Sequence, residues 1–386
     1  MSSAQEFQVK VMPLSQGAQS DANFGATITG IDLNNLSDQD FEVVRNAIYT
    51  HKVVVVKGQA GLIPLKQFEF VHRLDPDAEG VHGFDTKDVT DETIGVLGSR
   101  FNTIPGSVGV TIVGQGYQGD DHYGLKGITA RSTTHFDAHV DPLTTEDLEN
   151  RQTRFGAFHF DGVIYGSNPS RVTTLHCVRA PKGPDLTIRW DDGSGQTMTA
   201  KPGLTAFIDS AQIYEMLTDE EKITADNSHW APAPQPYVWS GTRKIRNSGL
   251  GMAPGGETVP LDKLPAWVPE KVFKFPMVWV NPVTGARSFQ ILPDVVQKLY
   301  FKSGPDAEER VVEDNDEVRV WLNNILDRIC KPKNILIPDY GEGDVVMFNN
   351  WEVLHSSIDY PASYGVRTMH QCHIPSSTFP VGPVAV

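Results

Sequence analysis

Three tripeptides in this chain place an aspartate two residues after a histidine: His135-Phe136-Asp137, His139-Val140-Asp141 and His159-Phe160-Asp161. On an extended backbone, side chains two apart point the same way, so each pair can present an imidazole nitrogen and a carboxylate oxygen to one point. That donor mixture suits a transition metal. With 12 histidines in the sequence, the pattern arises easily by chance, and a surface loop or a capping pair explains any single instance. Context separates the three. The first two lie in a polar stretch, 132–142, without strand patterning. The third leads into Val172-Thr173-Thr174-Leu175-His176-Cys177-Val178, a β-branched run able to hold ligand geometry.

A further ligand must come from far along the chain, and His355 is read as that ligand. It follows the strand-like run Asp344 to Phe348 and the turn Asn349-Asn350-Trp351. Arg367 comes twelve residues later, and the next stretch alternates Met369, Gln371 and His373 with Thr368, His370 and Cys372. Taken alone, Arg367 fits a surface ion pair, and His370 or His373 a hydrogen-bonded core histidine. Together the parts make a chemical proposal. Two imidazoles and one carboxylate on a single face, with the opposite positions open, form the facial triad of non-haem Fe(II) oxygenases. The planar fork of an arginine would then anchor the far carboxylate of a 2-oxo acid through two parallel hydrogen bonds.

These residues need a rigid frame. Ser37 reads as a helix N-cap, with Asp38 and Asp40 in the first turn and Phe41, Val44 and Ile48 on one face. Phe24 to Leu33 reads as a short strand pair, and Val53-Val54-Val55-Val56 as a buried strand. Pro64 can open a second helix carrying Phe68, Val71 and Leu74. From 75 to 154 the signals weaken. Val108 to Val113 is the clear strand there, and a lid or substrate loop is expected. Beyond Arg154, strand character recurs at Arg171 to Val178, Leu186 to Trp190, Leu204 to Ile208, Met277 to Val280, Ser288 to Leu292, Asp344 to Phe348 and Val366 to Ile374. Turns such as Asp191-Asp192-Gly193 separate them. Leu217 to Asp226 reads as helix. Val318, Trp321, Leu322, Ile325, Leu326 and Ile329 make one amphipathic face. Broken strands of this kind suggest an antiparallel sandwich or barrel with flanking helices, one domain over 1–386, and an insertion at about 231–276 lying over it.

Composition narrows the partners. The formal net charge of −15 over 386 residues disfavours nucleic acid and anionic membranes, while local arginines still permit a small anion. Three cysteines, Cys177, Cys330 and Cys372, are no disulfide framework and point to a reducing compartment. No signal pattern or long apolar run is present, so a cytoplasmic protein is expected. The 231–276 stretch is the expected surface for any homo-oligomer.

With those residues in hand, nearly the whole chain resembles the taurine/2,4-dichlorophenoxyacetate dioxygenase family of Fe(II)- and 2-oxoglutarate-dependent enzymes. Phe24-Gly25-Ala26 through Leu36-Ser37-Asp38 and His51 through Val56 are similar to its N-terminal signature. The resemblance implies a double-stranded β-helix (jelly-roll, cupin-like) core. It implies Fe(II) on His159, Asp161 and His355, 2-oxoglutarate on Arg367 and Thr187, and O2 at the remaining position. Within the family, Arg171 to Leu175, Trp190 to Gly193, Asn281 to Gly285 and His370-Gln371-Cys372 resemble the fungal xanthine dioxygenase subgroup. Gln371 matches a glutamine near the purine there. Phe158, Trp351, Glu352 and His373 depart from that pattern, so Phe158, Trp351, Gln371 and His373 are the expected substrate contacts. The implied activity is C–H oxidation of a small polar molecule, xanthine or a related purine. The alternative is an amino acid or other small molecule hydroxylated, desaturated or cyclised in secondary metabolism. A zinc hydrolase using the same ligands would leave Arg367 and Thr187 unexplained. A non-catalytic binding barrel would leave an intact triad unexplained.

Overall fold

Val53-Val54-Val55-Val56 forms a strand with every side chain buried, because both faces of its sheet are covered. In the computed structural model, residues 9–14, 20–80, 102–130 and 138–383 are described. In chain order, the strands that frame the site are β1 (Lys10–Pro13), β2 (Ala26–Thr29), β3 (Val53–Val56), β4 (Thr111–Tyr117) and β5 (Val172–Arg179). They continue with β6 (Leu186–Arg189), β7 (Thr205–Asp209), β8 (Val345–Asn349), β9 (Val353–Ser357) and β10 (Arg367–Cys372). The main sheet runs β1-β2-β3-β8-β5-β10-β4, with Asn102–Thr103 at the far edge. Ile335–Leu336, β7 and β9 form a second, antiparallel sheet.

Alternation along β3 divides the core. Val54 and Val56 pack with Ile28, Val345 and Met347 against Phe41, Val44 and Ile48 of α1 (Asp38–His51) and Phe70 and Val71 of α2 (Pro64–Leu74). Val53 and Val55 join Leu175, Val346 and Phe348 in packing against Phe207, Ile208 and Leu354 of the second sheet. Each such buried side chain contributes about 1.5–3 kcal/mol relative to exposure. Two sheets facing across this core, without closing into a barrel among the described residues, give a mainly β jelly-roll with flanking helices.

Local signals place the helices. Ser37 Oγ accepts from Asp40 N at 3.1 Å and opens α1. The third long helix, α3 (Asn315–Ile329), is capped by Asp314 and buries Val318, Leu322, Ile325, Leu326 and Ile329. Among the described residues no helix is long and apolar enough to cross a membrane.

Several boundaries differ from the sequence reading. Phe24–Leu33 holds one strand, β2, because Asp32 accepts from Asn34 N and turns the chain into a 3-10 segment at Leu33–Asn35. The strand expected at 108–113 begins at Thr111; Val108 has φ 67° and is exposed. It extends the main sheet beside β10, so this part of the 75–154 stretch is framework rather than lid. Residues 81–101 and 131–137 of that stretch lie outside the described residues. Gly114 permits the pairing, since a Cβ there would lie 2.0 Å from the Arg367 carbonyl oxygen. The helix expected at 217–226 is Asp219–Asn227, preceded by another at Ser210–Glu215. The strand expected at 288–292 is confined to Arg287–Phe289. The 231–276 segment is rooted in the fold by His229–Pro232 and Phe275–Pro276, which pair with each other.

Candidate metal centre

His159 and His355 meet through their backbones. They form an isolated antiparallel bridge, His159 N donating to His355 O at 2.9 Å and His355 N to His159 O at 2.7 Å. His355 belongs to β9, whereas His159 lies outside any regular strand, and β5 begins only at Val172. The two rings lie 4.2 Å apart. Asp161 Oδ1 is 3.7 Å from His159 Nε2 and 3.8 Å from His355 Nε2. Three donor atoms, all within 4.8 Å of one another, need only small side-chain movements to share one ion.

Each candidate ligand is oriented by its neighbours. His159 Nδ1 donates to Ala157 O at 2.8 Å, which leaves Nε2 as the lone-pair nitrogen. His355 is set by packing, between Phe348 at 4.7 Å and Phe207 at 6.2 Å between ring centroids. Thr173 Oγ1, from β5, donates to Asp161 Oδ2 at 2.8 Å. Asn350, in the turn between β8 and β9, accepts from Asp161 N at 2.8 Å and donates to Asp161 O at 2.9 Å and Ser170 O at 2.8 Å. The same turn is held from behind by Glu352, a buried carboxyl pushed up to about 7 by burial and bound by Asn281 and by Asn349 at 2.7 Å.

Protonation favours metal binding. Burial and the neighbouring His159 hold His355 down at about 3, so it is neutral near pH 7 with its lone pair free. Burial would raise Asp161, but His355, His373, His159 and the Thr173 hydroxyl outweigh it and keep the carboxylate well below its usual range. An anionic oxygen and the imidazole nitrogens of His159 and His355 fit a divalent ion that needs open positions for small ligands.

Arg367 opens β10 on the face that also carries Met369, Gln371 and His373. It is buried, its Nε donates to Gly203 O at 2.8 Å, and among the described residues it makes no ion pair with a carboxylate. A cavity of about 310 Å³ lies against it, walled in part by Cys177, Leu204, Tyr340 and Met369. A buried cation without a counter-charge is costly unless an anion joins it.

The other sequence candidates separate. Gln371 Nε2 lies 3.4 Å from Asp161 Oδ2, and His373 Nδ1 lies 3.0 Å from Ser170 Oγ, so both border the ligand set. Phe158 does not. It is fully buried against Phe155, at 5.1 Å, because residues flanking a ligand on extended backbone face the other way. Trp351 is also core, its Nε1 donating to Pro169 O at 3.3 Å beneath the Arg171 guanidinium. Thr187, on β6, is half-buried and is not among the residues lining the cavity at Arg367. Of the rival tripeptides, His139 is a core histidine with Nε2 3.0 Å from Phe155 O, and Asp141 is bound by Asn247; His135 and Asp137 lie outside the described residues. Sequence reasoning missed Thr173, Asn350, Gly203 and Tyr340. Only Thr173 carried a signal, as a polar residue in a β-branched run.

Geometry of this kind, on a jelly-roll, suits a metal-dependent enzyme. Residues 11–373 match the family described as taurine catabolism dioxygenase TauD, TfdA family, and the chain belongs to that family. It is 36% identical over 396 residues to the alpha-ketoglutarate-dependent dioxygenase bsc9 of Alternaria brassicicola, covering 100% of this chain and 98% of the relative. It is 37% identical over 367 residues to the alpha-ketoglutarate-dependent xanthine dioxygenase xanA of Emericella nidulans, covering 95% and 96%. Among solved structures, a putative alpha-ketoglutarate-dependent taurine dioxygenase from Burkholderia xenovorans superposes with a TM-score of 0.55 at 15% identity, over 97% of this chain and 92% of that one. The chain is therefore an oxidoreductase dependent on Fe(II), 2-oxoglutarate and O2, acting on a small molecule.

Proposed function

We propose that His159, Asp161 and His355 hold the Fe(II), that Arg367 binds the far carboxylate of 2-oxoglutarate, and that the enzyme oxidises a C–H bond of a small polar substrate, with xanthine and related purines the leading class. The observation that carries the co-substrate assignment is Arg367, buried, unpaired with any described carboxylate and facing a cavity on the strand face that leads to Asp161. Bound there, the iron and the co-acid supply the oxidising chemistry. The protein's own residues do the positioning. His159 is held in one tautomer by Ala157 O, Asp161 is kept ionised by the neighbouring imidazoles and the Thr173 hydroxyl and held at its backbone by Asn350, and Phe207 and Phe348 shield His355 from water.

The purine reading rests on Gln371 and His373, polar groups bordering the ligand set, and on relatives named xanthine dioxygenases at 35–37% identity. The second reading, oxidation of an amino acid or another metabolite, draws on the bsc9 relative, whose name carries no purine. Succinate release separates them when Fe(II)-loaded enzyme is screened with xanthine, other purines and amino acids. Stimulation by a purine is expected. Stimulation by an amino acid alone would replace the purine reading. The free, buried state of Cys177, Cys330 and Cys372 and the charge of −15 support a cytoplasmic enzyme that does not engage nucleic acid or membranes.

A further inference from the structure

The cavity at Arg367 is rimmed by exposed Arg179, Lys182, Asp185 and Lys201, and it holds one more buried polar group that the family resemblance did not point to. Tyr340 is 5% exposed and lines the same cavity. Its hydroxyl adjoins the Arg367 guanidinium and lies 3.1 Å from Thr205 Oγ1 on β7. Burial raises the phenol while Arg367 pulls against it, so Tyr340 is a neutral O–H donor at neutral pH. If Thr205 donates to the phenol oxygen, the phenol hydrogen is free to point at an incoming anion beside the guanidinium.

The opposite side of Arg367 is fixed as well. Gly203 accepts its Nε–H, and a Cβ at Gly203 would lie 3.1 Å from Arg367 Cδ and 2.8 Å from Pro181 Cγ, on a backbone with φ +70°. With Nε committed to Gly203, the terminal nitrogens remain for a ligand. Cys177, Leu204 and Met369 supply apolar wall for methylene carbons. From Arg367 to Gln371, which touches Asp161, β10 advances four residues, about 13 Å at 3.3 Å per residue. An arginine side chain and a five-carbon diacid together bridge such a span.

We propose that Tyr340, braced by Thr205, is a further hydrogen-bond donor to the distal carboxylate of the 2-oxo acid, and that with Arg367 it selects a dicarboxylate over a monocarboxylate. The inference rests on the assignment of 2-oxoglutarate to Arg367. Tyr340→Phe keeps the ring and removes only the hydroxyl, so packing is preserved.

The test is an anaerobic titration of the Fe(II)-loaded protein, following the visible metal-to-ligand charge-transfer band. One ligand is 2-oxoglutarate. The other is 2-oxopentanoate, which has the same chain and chelating end but no distal carboxylate. Tyr340→Phe is expected to weaken 2-oxoglutarate roughly tenfold or more, the usual effect of losing a hydrogen bond to a charged group, and to leave 2-oxopentanoate unchanged. The proposal falls if Tyr340→Phe binds 2-oxoglutarate normally or if it weakens both acids alike. Arg367→Ala distinguishes the levels of the argument. If it still loses 2-oxoglutarate selectively while Tyr340→Phe does not, only the role of Tyr340 is wrong. If Arg367→Ala is also unaffected, the co-substrate assignment itself fails.

Discussion

Two histidine clusters sit on opposite faces of the main sheet. On one face His159 and His355 flank Asp161. On the other, His176 of β5 and His370 of β10 are cross-strand partners, and His122 lies over them with its Nε2 2.7 Å from His370 Nε2. Ring centroids in this second group are 5.0 and 5.7 Å apart, and all three residues are buried. Imidazoles are thus concentrated on both faces. The difference is the carboxylate. Asp161 brings an anionic oxygen within ligand distance of two imidazoles, and among the described residues only that group gathers three donors closely enough for an ion. In the second cluster burial lowers His176 to about 4 and His370 to about 3. Asp344 opposes the shift at His176, and no acid opposes it at His370. Burial lowers His355 on one face and His176 and His370 on the other; the ionised acid is what makes the first group a candidate metal site.

Removing that acid should have the largest effect. Asp161→Asn keeps the shape but loses the charge, and Fe(II) affinity measured by competition with a chelator should fall by more than about 100-fold, beyond what outer-sphere changes cost. Retained affinity would move the metal elsewhere. Next comes Asn350→Ala, which removes the bonds to both backbone groups of Asp161. Iron affinity should drop about 10- to 100-fold, and an unchanged affinity would show that Thr173 alone aims the carboxylate.

The smallest effect on iron belongs to the opposite face. His176→Leu combined with His370→Leu should leave iron affinity unchanged and alter only the acid response. The sign follows from linkage. Unfolded histidines take protons near pH 6.5, while the folded pair resists until about 4 and about 3. The pair therefore costs no stability above pH 6.5 and destabilises progressively as pH falls toward 3. Denaturant unfolding of the apo-protein between pH 7 and 4.5 should show a shallower loss in the double variant, by an amount on the order of a few kcal/mol at most. Equal slopes would exclude these histidines as the source, leaving His122, which faces Asp121 and Arg179, and the buried His355.

Much of the frame was legible because it is written in local periodicity. Ser37 capped its helix, the four valines made a strand covered on both faces, and the apolar face from Val318 to Ile329 lay inward, since each depends on neighbours a few residues away. The stretch from 108 to 113 misled because Val108 is β-branched yet sits exposed in a left-handed turn closed locally by Ser107, whose hydroxyl donates to Ile104 O and accepts from Val110 N.

The sequence by itself determined the donor set: which residue types stand at positions 159, 161, 355 and 367, and which of them share a strand face. It could not decide distances between residues nearly 200 positions apart. Sheet register brought His355 to His159, directed Asn350 and Thr173 onto Asp161, turned Phe158 and Trp351 into core, and put Tyr340 rather than Thr187 in the cavity beside Arg367. Those outcomes follow from how strands pair across the molecule, and a pairing shift of one residue would reverse every side chain's face.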